Sequence, residues 1–191
     1  MRIVVGLGNP GAKYAGTRHN VAWPVLDRLA ERFGVQREED RCEGVLARCG
    51  SLHLFKPLTY MNLTGRAVSA LCAWGDVDLD RVLIVLDDLN LPLGALRLRA
   101  RGSSGGHKGL ESVIQALDTD EFPRLRMGIG PRPPEYGGRD FVLSRFAPAE
   151  AEAVSAMVEA AAEAVVAWAE QGIEPAMSRF NKTMANPQSP E

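Results

Sequence analysis

Short β-branched runs alternating with longer stretches of helical periodicity set the pattern of this 191-residue chain. Ile3 to Val5 is an unbroken apolar run, the mark of a strand buried on both faces. Val21, Val25, Leu26, Leu29 and Phe33 then recur at helical spacing, with Asn20 as the expected N-cap and Gly34 ending the helix. Residues 44 to 48 and 51 to 56, parted at Gly50-Ser51, read as two short strands, and Pro57 stops the second. A helix is predicted over 63–74, with Val68, Leu71 and Cys72 inward. Arg81 to Leu86 carries Val-Leu-Ile-Val-Leu, a second central strand, and the carboxylates of the Asp87 to Pro92 stretch at its exit are either turn formers or site residues. Residues 95 to 100 alternate Leu96 and Leu98 with Arg97 and Arg99, which predicts a strand with one apolar and one cationic face. A Gly-Ser loop over 102–109 leads into a helix over 110–117, and a strand follows over 124–129. A mobile Pro/Gly-rich loop is expected over 130–138. From 148 to 171, Val154, Met157, Val158, Ala161, Val165 and Trp168 share one face of an amphipathic helix whose glutamates point outward.

This alternation predicts one α/β domain over 1–182, a twisted, mixed but mostly parallel sheet with helices on both faces. Residues 183 to 191 read as a flexible tail. A hydrophobic content of 46% suffices for one substantial core. The three cysteines, Cys42, Cys49 and Cys72, match no zinc or redox spacing and cannot all pair, which points to a reducing compartment. The apolar run at the amino terminus is broken by Asn9-Pro10, too early for a signal peptide, and no run of about 18 uncharged apolar residues exists to span a membrane. A cytoplasmic protein is expected. The net charge of −2 conceals an asymmetry: residues 148 to 174 hold six glutamates and no Lys or Arg, while residues 1 to 147 carry 20 basic against 17 acidic groups. Basic clusters at Arg97/Arg99/Arg101/Lys108 and Arg124/Arg126/Arg132 suit a local phosphate contact better than a long nucleic-acid track.

The chemistry gathers after the first strand. Gly6-x-Gly8-x-x-Gly11 satisfies a dinucleotide-binding pattern, but the acid that would hold a ribose is missing, since Asp27 and Glu31 lie within the predicted helix. Asn9, Tyr14 and His19 follow the same turn. In a parallel sheet the loop bearing His19 and the exit of the strand before Asp87 come to one carboxyl edge. A carboxylate accepting from one ring nitrogen leaves the other free as a general base. No Ser or Cys has a nucleophile motif, so activated water is the simplest chemistry, with the Asn9 and Asn62 amides available to polarise a carbonyl. The sequence shows no clustered metal ligands, and no metal is expected.

Six blocks in order resemble bacterial-type peptidyl-tRNA hydrolase: Gly6-Leu-Gly-Asn9-Pro-Gly with Tyr14; Thr17-Arg-His19-Asn20; Lys56-Pro-x-Thr-Tyr60-Met-Asn62-x-x-Gly65; Asp87-Asp88-Leu-x-Leu-Pro92; Gly105-Gly-His107-x-Gly-Leu110; and Arg124-Leu-Arg-x-Gly-Ile-Gly with Arg179-Phe-Asn181. The resemblance implies a monomeric, cofactor-free enzyme that hydrolyses the ester joining a peptide to the 3′ end of tRNA. It makes His19 the base, Asp87 its orienter and Asn9 a reader of the blocked amino group. Tyr14, Tyr60, Asn62, His107 and Lys108 would face the substrate, and Arg99 and Arg126 would clamp a terminal tRNA phosphate. Two positions depart from the family pattern: Lys108 stands where an Asn is usual, and Asn90 where an acid is common. The alternative is a non-catalytic RNA-binding protein on the same fold, against which the joint presence of His19, Asp87, Asn9 and Asn62 argues.

Overall fold

A computed structural model describes residues 1–35 and 37–181. Seven strands form one sheet: β1 (Arg2–Gly6), β2 (Glu38–Arg41), β3 (Gly44–Cys49), β4 (Leu52–Pro57), β5 (Val82–Pro92), β6 (Leu96–Arg99) and β7 (Arg124–Gly130). Their order is β2-β3-β4-β1-β5-β7-β6. The central β4, β1, β5 and β7 run parallel, and antiparallel pairing is confined to the two flanks. The expected mixed, mostly parallel α/β sheet is the one observed.

Helices cover both faces. On one, α1 (Ala22–Arg32), α5 (Ala151–Gln171) and α6 (Ile173–Phe180) pack over Val4, Leu83, Val85, Leu98, Leu125 and Met127. On the other, α2 (Thr64–Gly75) and α3 (Lys108–Leu117) cover Ile3, Val5, Leu46, Phe55, Ile84 and Leu86. The alternation within β1 and β5 therefore divides one apolar run between two cores. The α2–α3 contact is close because residue 65 is glycine: a Cβ there would overlap the backbone carbonyl of Ser112.

Several boundaries differ from expectation, for physical reasons. β5 does not stop at Leu86; it continues through Asp87 and Asp88 to Pro92, with a register shift between Asp88 and Pro92. Asp87 is thus a strand residue, paired with Met127 of β7, and it lies beyond the last β1–β5 pair, Gly6 with Val85. Asn20 does not cap α1; it closes a 3₁₀ turn over Arg18–Asn20, and α1 begins at Ala22 without a side-chain cap. β2 is an edge strand of Glu-Glu-Asp-Arg, whose polarity hid it but blunts the edge against pairing. The expected 130–138 loop ends in a short helix, α4 (Gly138–Leu143), and α6 adds a further helix after Gly172. The expected tail at 183–191 lies outside the described residues.

Candidate active site

β1 has β4 on one side and β5 on the other, and the helices α1 and α2 that follow β1 and β4 lie on opposite faces. This is where an open α/β sheet leaves a crevice at the carboxyl ends of its strands. A cavity of about 840 Å³ occupies it, lined by Asn9, Tyr14, His19, Tyr60, Met61, Asn62, Asp87, His107 and Lys108, and closed on another side by Gly138, Arg139, Val142 and Leu143 of α4.

At its floor, Asp87 is 2% exposed. Its Oδ1 lies 2.8 Å from His19 Nδ1 and 2.9 Å from His107 Nε2. Burial pushes the Asp87 pKa up, but the charge and hydrogen bonds of His107 and His19 outweigh it and hold the carboxyl below the usual carboxylate range. An ionised carboxylate only accepts, so each imidazole donates the proton it carries toward Asp87. His107 is also the N-cap of α3, its Nδ1 accepting from the Leu110 N–H at 3.2 Å. Both of its ring nitrogens are thereby occupied within the protein. His19 spends only Nδ1, which leaves Nε2 with a lone pair in a side chain that lines the cavity.

His19, Asp87 and His107 also form a three-residue group close enough to hold a metal ion, a cluster that sequence spacing did not reveal. The N-cap role opposes that use. With Nδ1 accepting a backbone N–H and Nε2 donating to Asp87, His107 has no free lone pair for a cation.

The amides are fixed just as tightly. Asn9 is 6% exposed, and its Oδ1 accepts the Met61 N–H at 2.8 Å, so its NH₂ group is the end left to donate. Asn20 holds the Asn9 backbone on both sides: the Asn9 N–H donates to Asn20 Oδ1 at 2.9 Å, and Asn20 Nδ2 donates to the Asn9 carbonyl at 2.9 Å. Asn62 is exposed on the 3₁₀ turn before α2. Tyr14 and Tyr60 meet edge to face with ring centroids 6.4 Å apart, forming an aromatic wall.

The segment carrying His19 is anchored by its neighbour. Arg18 lies between Phe141 and Phe146 and donates to the Ile129 carbonyl at 3.2 Å and to Glu150 Oε2 at 2.6 Å. Its backbone N–H also donates to the Ser144 carbonyl at 2.9 Å. The cavity wall at α4 is thus tied to the turn that carries His19.

The basic clusters separate into different roles. Arg97, Arg99, Arg124 and Arg126 share one face of the β6–β7 pair, as direct opposition of Arg97 to Arg126 and of Arg99 to Arg124 requires. Arg124 is a structural residue: burial pushes its pKa down to about 10, and it donates to the carbonyls of Gly102, Asp120 and Phe122. Arg126 Nε lies 3.1 Å from Asp88 Oδ2 without hydrogen-bond alignment, so its charge is partly offset. Lys108 pairs with Glu111 at 2.8 Å and Arg101 with Glu121 at 3.0 Å. Arg99 is exposed, with one long bond of 3.4 Å to the Leu98 carbonyl.

The dinucleotide pattern fails structurally as well. The Trp23 indole lies against Gly8, where a Cβ would collide with it, and donates to the Gly6 carbonyl at 3.0 Å. An aromatic ring therefore covers the glycine turn that a pyrophosphate would need to approach.

Three features escaped the sequence. Asn20 resembles a cap in the sequence because Asn before an apolar stripe ordinarily is one, whereas here it holds the Asn9 backbone. His107 as the second partner of Asp87 left no signal, because a polar side chain three residues before Leu110 marks only the N-cap of α3. α4 has six residues, fewer than two turns, too few for a helical period to emerge.

The sequence model of the peptidyl-tRNA hydrolase family matches residues 3–188. The peptidyl-tRNA hydrolase of Syntrophomonas wolfei is 43% identical over 185 residues, covering 95% of this chain and 100% of the relative. That of Chloroflexus aurantiacus is 46% identical over 187 residues, covering 95% and 99%. Among solved structures, the peptidyl-tRNA hydrolase of Acinetobacter baumannii superposes with a TM-score of 0.88 at 30% identity, over 95% of this chain and 94% of the other. None of the described helices is long and apolar enough to cross a membrane. With the family model spanning almost the whole chain and relatives aligning end to end, this chain belongs to the peptidyl-tRNA hydrolase family.

Proposed function

We propose that the chain hydrolyses the ester between a peptide, or an N-blocked aminoacyl group, and the 3′ end of tRNA, using water activated by His19. The observation that carries this reading is the buried Asp87 carboxylate bonded to His19 Nδ1, with the imidazole lining a cavity large enough for a terminal nucleotide and an acyl group. Water gives a proton to His19 Nε2 as its oxygen bonds to the ester carbon. The negative charge on the carbonyl oxygen is met by amide donors, for which Asn9 and Asn62 are the candidates. Collapse breaks the carbon–oxygen bond to the ribose, and the proton on Nε2 passes to the departing oxygen. Every atom is supplied by water and substrate, so the scheme needs no cofactor.

The remaining assignments belong to the same reading. Asn9, its carbonyl end bound to Met61, offers a donor to the peptide that a blocked amino group accommodates. Tyr14 and Tyr60 give planar surfaces for the terminal bases. Arg99 and Arg126 meet a terminal tRNA phosphate, with Lys108 next to the acceptor end. His107, which lines the same cavity, holds Asp87 and faces the substrate beside it. The protein acts as a monomer, since one chain supplies every residue named, and it works in the reducing cytoplasm that its unpaired cysteine pattern suits.

The test is release of the acyl group from N-acetylaminoacyl-tRNA and from unblocked aminoacyl-tRNA, with and without 1,10-phenanthroline. Release from the blocked substrate alone, insensitive to the chelator, is expected. Binding of tRNA without release from either substrate would favour the RNA-binding alternative.

A further inference from the structure

Arg179-Phe-Asn181 is a recognisable block to which the reaction gives no task. α6 is seated on the core by Ala176, which is fully buried, and by Met177 and Phe180, and it presents Asn181 to the outer side of β6. There the Leu98 N–H donates to Asn181 Oδ1 at 2.8 Å, and Asn181 Nδ2 donates to the Leu98 carbonyl at 3.1 Å. In an antiparallel pair, alternate residues turn both backbone groups away from the partner strand. Leu98 is such a residue, and one side-chain amide takes both of its groups as the next strand would. β6 has four residues and is the sheet's last strand on this side, so β7 alone would hold it. A strand so short and one-sided frays readily.

The two neighbours of Leu98 are Arg97 and Arg99, on the cationic face. The Leu98 carbonyl that receives the Asn181 amide also receives Arg99 Nη1 at 3.4 Å. We infer that Asn181 is a positioning residue for substrate phosphate, holding β6 in register so that Arg97 and Arg99 stand where the tRNA backbone meets them. This rests on the reading that the arginine face binds phosphate. The amide fits the task because it supplies an acceptor and a donor together; neither alanine nor a carboxylate satisfies both backbone groups.

The test compares wild type, Asn181→Ala, Arg99→Ala and the double variant in steady-state hydrolysis of N-acetylaminoacyl-tRNA across a salt series, with melting temperatures recorded in parallel. For Asn181→Ala, KM is expected to rise about fivefold, the factor for one net hydrogen bond, with kcat within about twofold of wild type. The log–log salt dependence should flatten. Because Asn181 acts through β6, its substitution should cost less in the Arg99→Ala background than in wild type. A lower melting temperature with unchanged KM and salt slope would overturn the inference and leave Asn181 a purely structural closure of the sheet edge. If Arg99→Ala leaves KM and slope unchanged, the phosphate reading itself fails, and this inference with it; if Arg99→Ala moves both and Asn181→Ala moves neither, only the inference fails.

Discussion

One carboxylate oxygen organises the residues that matter most. Asp87 Oδ1 accepts from two imidazoles, and only His19 retains a free ring nitrogen. Replacing Asp87 by Asn keeps an acceptor but removes the charge that stabilises a protonated His19. Turnover of Asp87→Asn is therefore expected to fall by roughly 10²–10⁴, the usual worth of general-base catalysis, while tRNA affinity holds. Single-turnover hydrolysis alongside equilibrium binding measures the two separately. The same carboxyl has a stability signature. Its folded pKa lies below its unfolded value, so its contribution is fully present above about pH 4 and is lost as pH falls through the lower, folded value. Acid unfolding of Asp87→Asn should accordingly lack that component. The His19–Asp87 pair was legible because strand ends and loop positions alone bring those residues to one edge. The second imidazole was not, because nothing in the spacing of Asp87 and His107 distinguishes a shared proton acceptor from two separate loops.

Elements rich in apolar residues announced themselves, and those defined by what they cover did not. β1, α2, β7 and α5 were visible from period and run length, because their side chains are what the core requires. β2, α4 and α6 were hidden: the first is charged because it is an edge, the second too short to show a period, and the third follows an amphipathic helix after one glycine. Packing between elements was equally silent, and the α2–α3 contact is an instance. Gly65 looks like an ordinary helix residue in the sequence, yet its missing side chain lets the Ser112 backbone approach, and Ser112 Oγ accepts the Gly65 N–H at 3.0 Å. Gly65→Ala improves intrinsic helix propensity but overpacks this contact, for which about 1–3 kcal/mol of lost stability is expected. Because α3 carries His107 at its start, the variant should also lose hydrolytic activity in its folded fraction. Thermal denaturation and kinetics on the same preparation provide the check, and a stabilised variant would contradict the packing described here.

At the scale of the whole molecule, a small negative net charge coexists with a cationic sheet face, so the local field over that face differs from the average. That field is weaker than a count of arginines suggests. Arg124 is committed to backbone carbonyls, Arg126 stands beside Asp88, and Lys108 is paired with Glu111. The salt dependence of tRNA binding should reflect this ranking. Arg99→Ala is expected to lower the log–log slope by about 0.7–0.9, and Arg126→Ala and Lys108→Ala each by less, as fluorescence titration of labelled tRNA would reveal. Equal decrements for all three would mean that Asp88 and Glu111 release their partners when tRNA binds. Catalysis by His19, as distinct from tRNA affinity, is tested most directly by one measurement: the single-turnover rate of N-acetylaminoacyl-tRNA hydrolysis by purified His19→Ala protein at saturating enzyme. A rate lower than wild type by roughly 10²–10⁴, with tRNA binding intact, is the expected result. A rate close to wild type would contradict the assignment of His19 as the base.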